Sequence, residues 1–284
     1  MSEISMLLES DPAPLLDSIL KIAVEAGEKI LAVYNTNFTV AHKEDRSPLT
    51  EADLLSHETI VQGLKRLTPE VPVLSEESRE IPFSERRSWH RYWLVDPLDG
   101  TREFVKRNGE FTVNIALIED HQSILGVVYA PVMNALYYAS RGQGAYQRGT
   151  DGVVSRLKVR PWKGETALVA GSRSHAGKYL KSFLDKVKDY ELVSMGSSLK
   201  FCLVADGKAD IYPRFGTTSE WDTAAAQCVV EEAGGILIDL NKMPLRYNAK
   251  KSLLNPSFLV IADSAGQWER FIPEAAKSNS NSKN

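Results

Sequence analysis

Acidic residues stand at four places along the chain where predicted elements end and their side chains can converge on a cleft. The four places are Asp53, Glu76-Glu77, Asp96 with Asp99, and Asp222. Hard divalent cations prefer oxygen ligands, and magnesium near phosphates typically binds carboxylates and waters. Two such ions ~4 Å apart stabilise both the attacking and the leaving oxygen of a phosphoryl displacement. The pattern therefore favours metal-dependent chemistry at a phosphate group.

One segment places two of these acids three residues apart. A strand is expected over residues 92–95, and Asp96-Pro97 is expected to end it because proline cannot donate to a sheet ladder. A turn then returns Asp99 to the side of Asp96, so that both carboxylates face one cleft.

The residues that follow Pro97 suit an anionic ligand. The Leu98 carbonyl lies between the two acids in sequence and is a further oxygen ligand. Gly100 permits close approach of the backbone. The amides of Gly100 and Thr101 can hold a phosphate at the start of the next helical turn.

Each acidic group also has a plain structural interpretation. Thr50 with Asp53 matches a helix cap, and Glu76-Glu77 matches a pair of solvated loop acids. Residues 96–100 match an ordinary turn, and Asp222 matches a cap on its own helix. Because a chance coincidence of all four is much less expected, the set supports a metal site where no single member does.

The elements that position these acids follow from apolar periodicity. A helix is predicted over residues 15–34, and Thr50 is the predicted N-cap of a second helix whose apolar stripe ends at Leu67. Residues 111–147 have the pattern of a strand meander. From residue 167 onward strands and helices alternate, as in an α/β layer.

This order predicts a layered α/β sandwich with the metals in the cleft between its parts. Residues 1–150 are expected to form an N-terminal α+β domain that holds most metal ligands, with the boundary at residues 149–152. Residues 151–275 are expected to form a C-terminal α/β domain with the substrate pocket. Residues 276–284, rich in Ser, Asn and Lys, are expected to be a disordered tail.

Composition excludes several functional classes. The 284 residues are 43% apolar and 25% charged, which is ordinary for a globular protein. A net charge of −3 gives no global reason to bind nucleic acid or an anionic membrane. No apolar run approaches the ~20 residues of a transmembrane helix, and the N-terminus lacks the features of a signal peptide. Unpaired Cys202 and Cys228 fit a reducing compartment, so a cytoplasmic protein is expected.

In order and spacing, these motifs resemble the inositol monophosphatase-like superfamily of lithium-sensitive, magnesium-dependent phosphatases. The matching segments are residues 47–53, 75–78, 96–101, 221–225 and 234–235. The resemblance implies an αβαβα sandwich of the inositol monophosphatase and fructose-1,6-bisphosphatase type. It also implies that the chain is a phosphoric monoester hydrolase.

The resemblance also assigns roles to the acids. The ligands of two or three Mg²⁺ ions would be Glu76, Asp96, the Leu98 carbonyl, Asp99 and Asp222. The catalytic residues would be Asp53, Glu76 and Thr101, with Thr101 relaying a proton from the nucleophilic water toward Asp53. A general base within reach of a nucleophile is typically worth ~10²–10⁴-fold in rate.

Two runs, at residues 106–117 and 126–132, resemble the CysQ branch of this superfamily, whose members are 3′(2′),5′-bisphosphate nucleotidases. They remove the 3′-phosphate of 3′-phosphoadenosine 5′-phosphate (PAP) to give AMP, and some act on the 5′-phosphosulfate analogue (PAPS) to give APS. The implied partner is a small nucleotide from sulfur metabolism. The branch leaves peripheral association with the cytoplasmic face of the membrane open, and the sequence leaves open monomer or homodimer.

A second set of residues supports a nucleotide over an inositol phosphate, because a substrate with two phosphates needs a second anionic pocket, which Lys200 and Arg214 can supply. By resemblance, the substrate-binding residues would be Glu76, Leu98, Asp99, Gly100, Thr101, His175, Ser197, Lys200, Arg214 and Asp222. The plain alternatives are a solvated Lys200, a surface Arg214 and a helix-capping His175. Glu220 is a further candidate, for contact with the ribose.

Two other functions stay open. An inositol monophosphatase or broad sugar-phosphate phosphatase would share every metal ligand and differ only in the pocket, so Lys200 and Arg214 discriminate. A non-catalytic nucleotide or metal sensor would keep the pocket without turnover, and the intact acids and Thr101 speak against it. Outside the site, Arg86-Arg87 is predicted to be a solvated pair.

Overall fold

The computed structural model describes residues 12–42, 48–172 and 177–280. Ser47 and His175, both part of the patterns above, lie outside the described residues.

Helix α1 is long because a continuous stripe of its residues is buried, Ile19, Ala23 and Ile30 among them. A 3₁₀ turn, Ala13–Leu15, precedes it, so the helix predicted over residues 15–34 is confirmed within one residue. The helices are α1 Leu16–Tyr34, α2 Glu51–Leu67, α3 Phe83–Arg86, α4 Thr101–Val105, α5 Lys178–Val187, α6 Leu199–Ala205, α7 Ala224–Glu232 and α8 Glu274–Ser280.

Alternating apolar residues and polar turns build one seven-stranded sheet, in the order β3-β4-β5-β6-β7-β8-β9. Strands β3 and β4 are parallel and the other neighbours are antiparallel, which confirms the predicted meander. Its strands are β3 Val73–Ser75, β4 Arg91–Asp99, β5 Thr112–Glu119, β6 Gln122–Ala130, β7 Ala135–Ser140, β8 Gly144–Arg148 and β9 Val154–Arg156. A separate two-stranded ladder pairs β1 Ala41–His42 with β2 Pro48–Leu49.

The second sheet has five strands in the order β11-β10-β12-β14-β13. Strand β10 is parallel to both of its neighbours, whereas β14 is antiparallel to β12 and β13. Its strands are β10 Ala167–Gly171, β11 Tyr190–Ser194, β12 Ile211–Arg214, β13 Ile236–Asp239 and β14 Phe258–Ile261. Strand β14 is a finding of the structure, because the sequence analysis assigned no element there.

Because side chains alternate across a strand, each sheet has two faces to bury. Trp93 and Val95 on β4 pack against α1 and α2, while Tyr92 and Leu94 on the same strand join the core around α6 and α7. The far face of the second sheet packs on α5 and α8, where Phe183 is fully buried. The layers are therefore helix, sheet, helix, sheet and helix, which confirms the αβαβα fold.

Two predicted boundaries look different in the structure. Residues 149–152, the predicted domain boundary, form the turn between β8 and β9, so the chain leaves the first sheet only after Arg156. The division into two domains stays a prediction. Helix α8 spans Glu274–Ser280 and packs through Ala276. Residues 276–280 of the expected disordered tail therefore belong to this helix, and disorder of the tail stays a prediction.

The close packing of β6 on α7 gives a test of this layering. A Cβ added at Gly126 would lie 2.1 Å from the Ala225 carbonyl oxygen, so Gly126→Ala forces the helix off the sheet. We expect a loss of about 1–3 kcal/mol in the free energy of unfolding, measured by thermal or urea denaturation. The matched control is Gly177→Ala, where no atom of the described residues lies within 4 Å of an added Cβ. Equal stability of the two variants would contradict this packing.

Candidate active site and relatives

The acids Asp96 and Asp99 both lie in strand β4, which continues through Pro97 to Asp99. The expectation that Asp96-Pro97 ends the strand is therefore wrong. Asp96 pairs with Asn114 and Asp99 with Thr112, so two residues of β4 face one of β5, as in a β-bulge. Residues three apart in a regular strand point to opposite faces. The added residue brings the two carboxylates to the same side. The sequence predicted this arrangement but attributed it to a turn.

Asp53 is fixed at the start of α2 by a capping box. Its Oδ2 accepts hydrogen bonds from the Thr50 amide and the Thr50 hydroxyl, each at 2.7 Å. The predicted cap at Thr50 is thereby confirmed. The other oxygen, Oδ1, lies 3.2 Å from the Thr101 hydroxyl, which also lies 3.3 Å from the Leu98 carbonyl oxygen. Asp53 thus has both a capping contact and a contact with Thr101. Its interpretation as a helix cap does not exclude its interpretation as a site residue.

Three carboxylates meet at the centre of the site. One ligand oxygen from each of Asp96, Asp99 and Asp222 lies within 4.8 Å of the others. Glu76 follows β3, which is parallel to β4, and its side chain is hydrogen-bonded to Asp96. The structure therefore brings together the four acids that were assigned as metal ligands. Glu76 is more than a solvated loop acid.

The crowding of these carboxylates disfavours their ionised forms. Burial, and then the charges of Glu76, Asp99 and Asp222, hold the pKa of Asp96 well above its usual range. Burial, followed by the charge of Asp99, raises the pKa of Asp222 to about 8. A cation placed among them would offset the repulsion, and an all-oxygen donor set fits a hard ion such as Mg²⁺.

The Asp99 carboxylate is held by the start of α6. Its Oδ2 accepts from the Ser197 hydroxyl at 2.6 Å, the Ser198 amide at 2.7 Å and the Ser198 hydroxyl at 2.8 Å. Ser197 has a left-handed backbone, with φ of +50°. Gly100, with φ of +92°, sits opposite it, where an added Cβ would come within 3.3 Å of the Ser197 Cβ. Close approach at Gly100 is thus observed, while phosphate binding there stays a prediction.

Polar residues inside β5 complete this arrangement, and the sequence analysis did not assign them to the site. The Thr112 hydroxyl lies 2.6 Å from the Ser197 hydroxyl, and the Asn114 amide donates to the Ser198 hydroxyl at 2.9 Å. Both side chains are buried in an otherwise apolar strand. That feature was the available signal, because buried polar groups need specific partners.

A cavity of ≈ 370 Å³ opens beside the carboxylates. Its walls include the carboxylates of Asp99 and Asp222 together with Lys200, Tyr212 and Arg214. Gly100 and Ser197 also line it. His175 lies outside the described residues.

Lys200 is buried, so the alternative of a solvated helix residue is wrong. Its ammonium donates to the Ser197 carbonyl at 2.6 Å and the Met195 carbonyl at 3.3 Å, and it lies 5.4 Å from the Tyr212 ring centroid. Burial lowers the pKa of Lys200 to about 8, although the charge of Asp99 opposes this shift. Lys200 therefore supports Ser197 as well as facing the cavity.

Arg214 ends β12 with its guanidinium against the cavity. One terminal nitrogen donates to the Thr217 carbonyl at 3.0 Å. The charge of Arg214 acts on Lys200, so the two cations occupy one region. Their shared contact with a second phosphate stays a prediction.

Two expectations about charged residues are wrong. Glu220 is buried and accepts a hydrogen bond from the Asn248 amide at 2.7 Å, away from the cavity walls, so it does not face a ribose. Arg86 is also buried and bonded to Asn248, so only Arg87 of the predicted solvated pair is exposed. Sequence spacing could not show this burial, because the partners lie far along the chain.

The two cysteines of the chain are buried and unpaired, as predicted. Burial raises the pKa of each thiol, which disfavours the nucleophilic thiolate. None of the helices in the described ranges combines the length and the apolarity that a membrane crossing requires.

The repulsion within the acid cluster predicts an inverse relation between stability and metal binding. Asp222→Asn keeps the shape and removes a buried group that must bind a proton on folding, so the metal-free variant should melt above the wild-type protein. The gap should widen as pH rises from about 4 to about 8, because unfolded Asp222 ionises while the folded residue retains its proton. Mg²⁺ should raise the melting temperature of the wild-type protein far more than that of the variant. A variant that melts lower at pH 8 without metal would contradict this account.

Comparison with known proteins agrees with this geometry. Residues 11–278 match the inositol monophosphatase family. The 3′(2′),5′-bisphosphate nucleotidase CysQ of Escherichia coli K12 is 50% identical over 87% of this chain and 99% of its own length. That of Aggregatibacter actinomycetemcomitans is 43% identical over 91% and 96%. The crystal structure of CysQ from Bacteroides thetaiotaomicron, described as a bacterial member of the inositol monophosphatase family, has a TM-score of 0.77 at 42% identity, covering 87% and 96% of the two chains. This chain belongs to the inositol monophosphatase family.

Proposed function

We propose that this protein is a magnesium-dependent 3′(2′),5′-bisphosphate nucleotidase. It hydrolyses the 3′-phosphate of PAP to give AMP and inorganic phosphate. The observation that carries the proposal is one cavity whose walls combine carboxylates of the acid cluster, Asp99 and Asp222, with two cations, Lys200 and Arg214. The relatives named as 3′(2′),5′-bisphosphate nucleotidases, at up to 50% identity over nearly their whole length, support the same substrate.

We assign the scissile phosphate to the carboxylate cluster. Glu76, Asp96, the Leu98 carbonyl, Asp99 and Asp222 would hold two or three Mg²⁺ ions. When bound, such ions neutralise phosphate charge and stabilise the attacking and leaving oxygens. The chain itself keeps the acids in place beforehand, since Ser197 and Ser198 fix Asp99 and Asn114 braces Ser198. A site organised in advance costs little reorganisation during the reaction.

We assign the removal of a proton from the attacking water to Thr101 and Asp53. The Thr101 hydroxyl can donate to Asp53 Oδ1, at 3.2 Å, and then accept from the water with its own lone pair. Asp53 keeps its orientation because its other oxygen accepts two hydrogen bonds from Thr50. A base held this way serves the geometry requirement of general base catalysis.

We assign the 5′-phosphate to the two cations, Lys200 and Arg214. Arg214 offers guanidinium donors that match two phosphate oxygens. Lys200 adds a buried positive charge, but its ammonium already donates to two backbone carbonyls. We therefore assign direct phosphate contact chiefly to Arg214. An inositol monophosphate has no second phosphate for these two cations to bind.

The deciding experiment is phosphate release from PAP, PAPS and inositol 1-phosphate, each with Mg²⁺ and with or without lithium. We expect a lithium-inhibited preference for PAP. Preference for inositol 1-phosphate would retain the acid site and overturn the nucleotide assignment. Absence of turnover on all three would favour a binding function without catalysis.

Replacement of Thr101 tests the proton relay. Thr101→Val removes the hydroxyl at nearly constant shape, and kcat should fall by about 10²–10⁴-fold while Mg²⁺ affinity stays near that of the wild-type protein. Thr101→Ser retains the hydroxyl and should keep most of the activity. Steady-state kinetics at saturating Mg²⁺ measure both. A valine variant as active as the serine variant would remove Thr101 from the relay.

Replacement of Arg214 tests the second anionic pocket. A charge-assisted hydrogen bond contributes about 1.5–3 kcal/mol, so Arg214→Gln should raise KM for PAP by roughly 10- to 100-fold. KM for inositol 1-phosphate should change little. Arg66→Gln on the exposed face of α2 is the matched control and should leave both values unchanged. Equal losses on the two substrates would count against the pocket.

A further inference from the structure

Arg86 is a buried cation that the proposed reaction does not use. It ends α3, on the segment that leads from β3 into β4, and so belongs to the part of the chain that carries Asp96 and Asp99. Its guanidinium donates to the Asn248 side chain, the Lys250 carbonyl at 3.3 Å and the Lys251 carbonyl. The Asn248 amide group donates back to the Arg86 carbonyl at 2.6 Å. The contact is therefore reciprocal and joins distant parts of the sequence.

The segment that Arg86 holds, residues 248–255, is called here the clamp loop. It forms backbone contacts with the turn that precedes α7. The Glu220 amide donates to the Leu253 carbonyl at 2.8 Å, and the Asn255 amide donates to the Thr218 carbonyl at 2.8 Å. The Asn255 side chain also donates to the Ser219 carbonyl at 2.6 Å.

The side chain of Glu220 adds a contact from the turn back to the clamp loop. Its Oε2 accepts from the Asn248 amide at 2.7 Å, beside the Arg86 contact. The opposite charges of Arg86 and Glu220 also attract each other in this buried region. Arg86, the clamp loop and the turn thus form one connected polar network.

The turn held by this network carries Asp222. It is a 3₁₀ turn, Glu220–Asp222, in which the Ser219 amide donates to Asp222 Oδ2 at 2.8 Å. The orientation of the Asp222 carboxylate is therefore tied to the position of the turn. The turn packs directly on β4 and β5, and its Asp222 carbonyl accepts from the Ser198 hydroxyl at 2.9 Å. The clamp loop and Arg86 add a further connection between the turn and the segment that leads into β4.

We propose that Arg86 is a positioning residue for the cation site, which it serves by setting the distance of Asp222 from Asp96 and Asp99. The proposal rests on the proposed function in so far as Asp222 is a ligand of Mg²⁺. Burying a cation is costly unless its hydrogen bonds are made. Arg86 makes hydrogen bonds through both terminal guanidinium nitrogens to the clamp loop, which contacts the Asp222 turn. Its buried Nε has no hydrogen-bond partner in the part of the chain that the structure describes.

The test measures Mg²⁺ binding to the metal-free protein by isothermal titration calorimetry. Loss of a residue that orients a metal ligand typically costs about 10–100-fold in affinity or activity, so we expect Arg86→Met to weaken Mg²⁺ binding about 10-fold. Arg86→Lys, which keeps the charge and some donors, should weaken it less. Arg87→Met is the matched control, because the neighbouring arginine is exposed, and it should bind Mg²⁺ like the wild-type protein.

Kinetics distinguish positioning from a general structural role. For Arg86→Met, the Mg²⁺ concentration at half-maximal rate should rise about 10-fold, while kcat at saturating Mg²⁺ and KM for PAP stay within about twofold of wild type. A kcat loss that is equal at all Mg²⁺ concentrations would overturn the proposal. So would a folded Arg86→Met protein with wild-type Mg²⁺ affinity.

A second variant covers the case in which Arg86→Met fails to fold. Asn248 has φ of +55°, which glycine adopts without strain. Asn248→Gly keeps the backbone amide that binds Glu220 but loses the side-chain contact with Arg86, so it should weaken Mg²⁺ binding in the same way. If both variants are unfolded, Arg86 is a stability residue and the proposal is overturned.

The calorimetry also separates this proposal from the proposed function. If the wild-type protein binds Mg²⁺ but does not hydrolyse PAP, the nucleotidase assignment fails. The Mg²⁺ affinities of the variants still test the positioning role of Arg86. If the wild-type protein binds no Mg²⁺, both proposals fail.

Discussion

The mutual repulsion of buried carboxylates is the constraint on which the rest of this structure depends. Asp96, Asp99 and Asp222 would separate if their backbones were free to move, because nearby like charges in a poorly solvated site disfavour each other. Two sheets and the helices between them prevent this. Besides burying apolar surface, the layered core thus keeps these carboxylates close together. A bound cation can reduce the repulsion between them.

The acids share a common way of being held. Asp53 is bonded through one oxygen by Thr50, Asp99 by Ser197 and Ser198, and Asp222 by the Ser219 amide. Asp53 and Asp222 are held by donors three residues before them in the sequence. Asp99 is held by donors from a distant segment, across the cleft. Each carboxylate is therefore oriented by the protein before any ligand arrives. The features that were weighed as plain helix caps are the means by which the site is organised in advance.

What could be predicted from the sequence was local. The cap of Thr50 with Asp53 depends on a short spacing, as does each acidic motif taken singly. The structure contains the cap and brings Asp96, Asp99 and Asp222 together. The bulge in β4 could not be predicted, because a register shift is decided jointly with the partner strand β5. The burial of Arg86 and Glu220 was missed for a similar reason. Whether a charge is solvated depends on segments that meet only in the folded chain.

The placement of the third carboxylate has a consequence for the order of folding. Asp96 and Asp99 lie in a meander of sequential strands, whose contacts are mostly short in sequence. Asp222 joins them only after the chain has crossed to the second sheet and returned to the central helix layer. Contacts distant in sequence are entropically slow to close. We therefore expect the complete carboxylate cluster to form late. Acquisition of metal binding during refolding would then report the docking of the two sheets rather than the formation of either one.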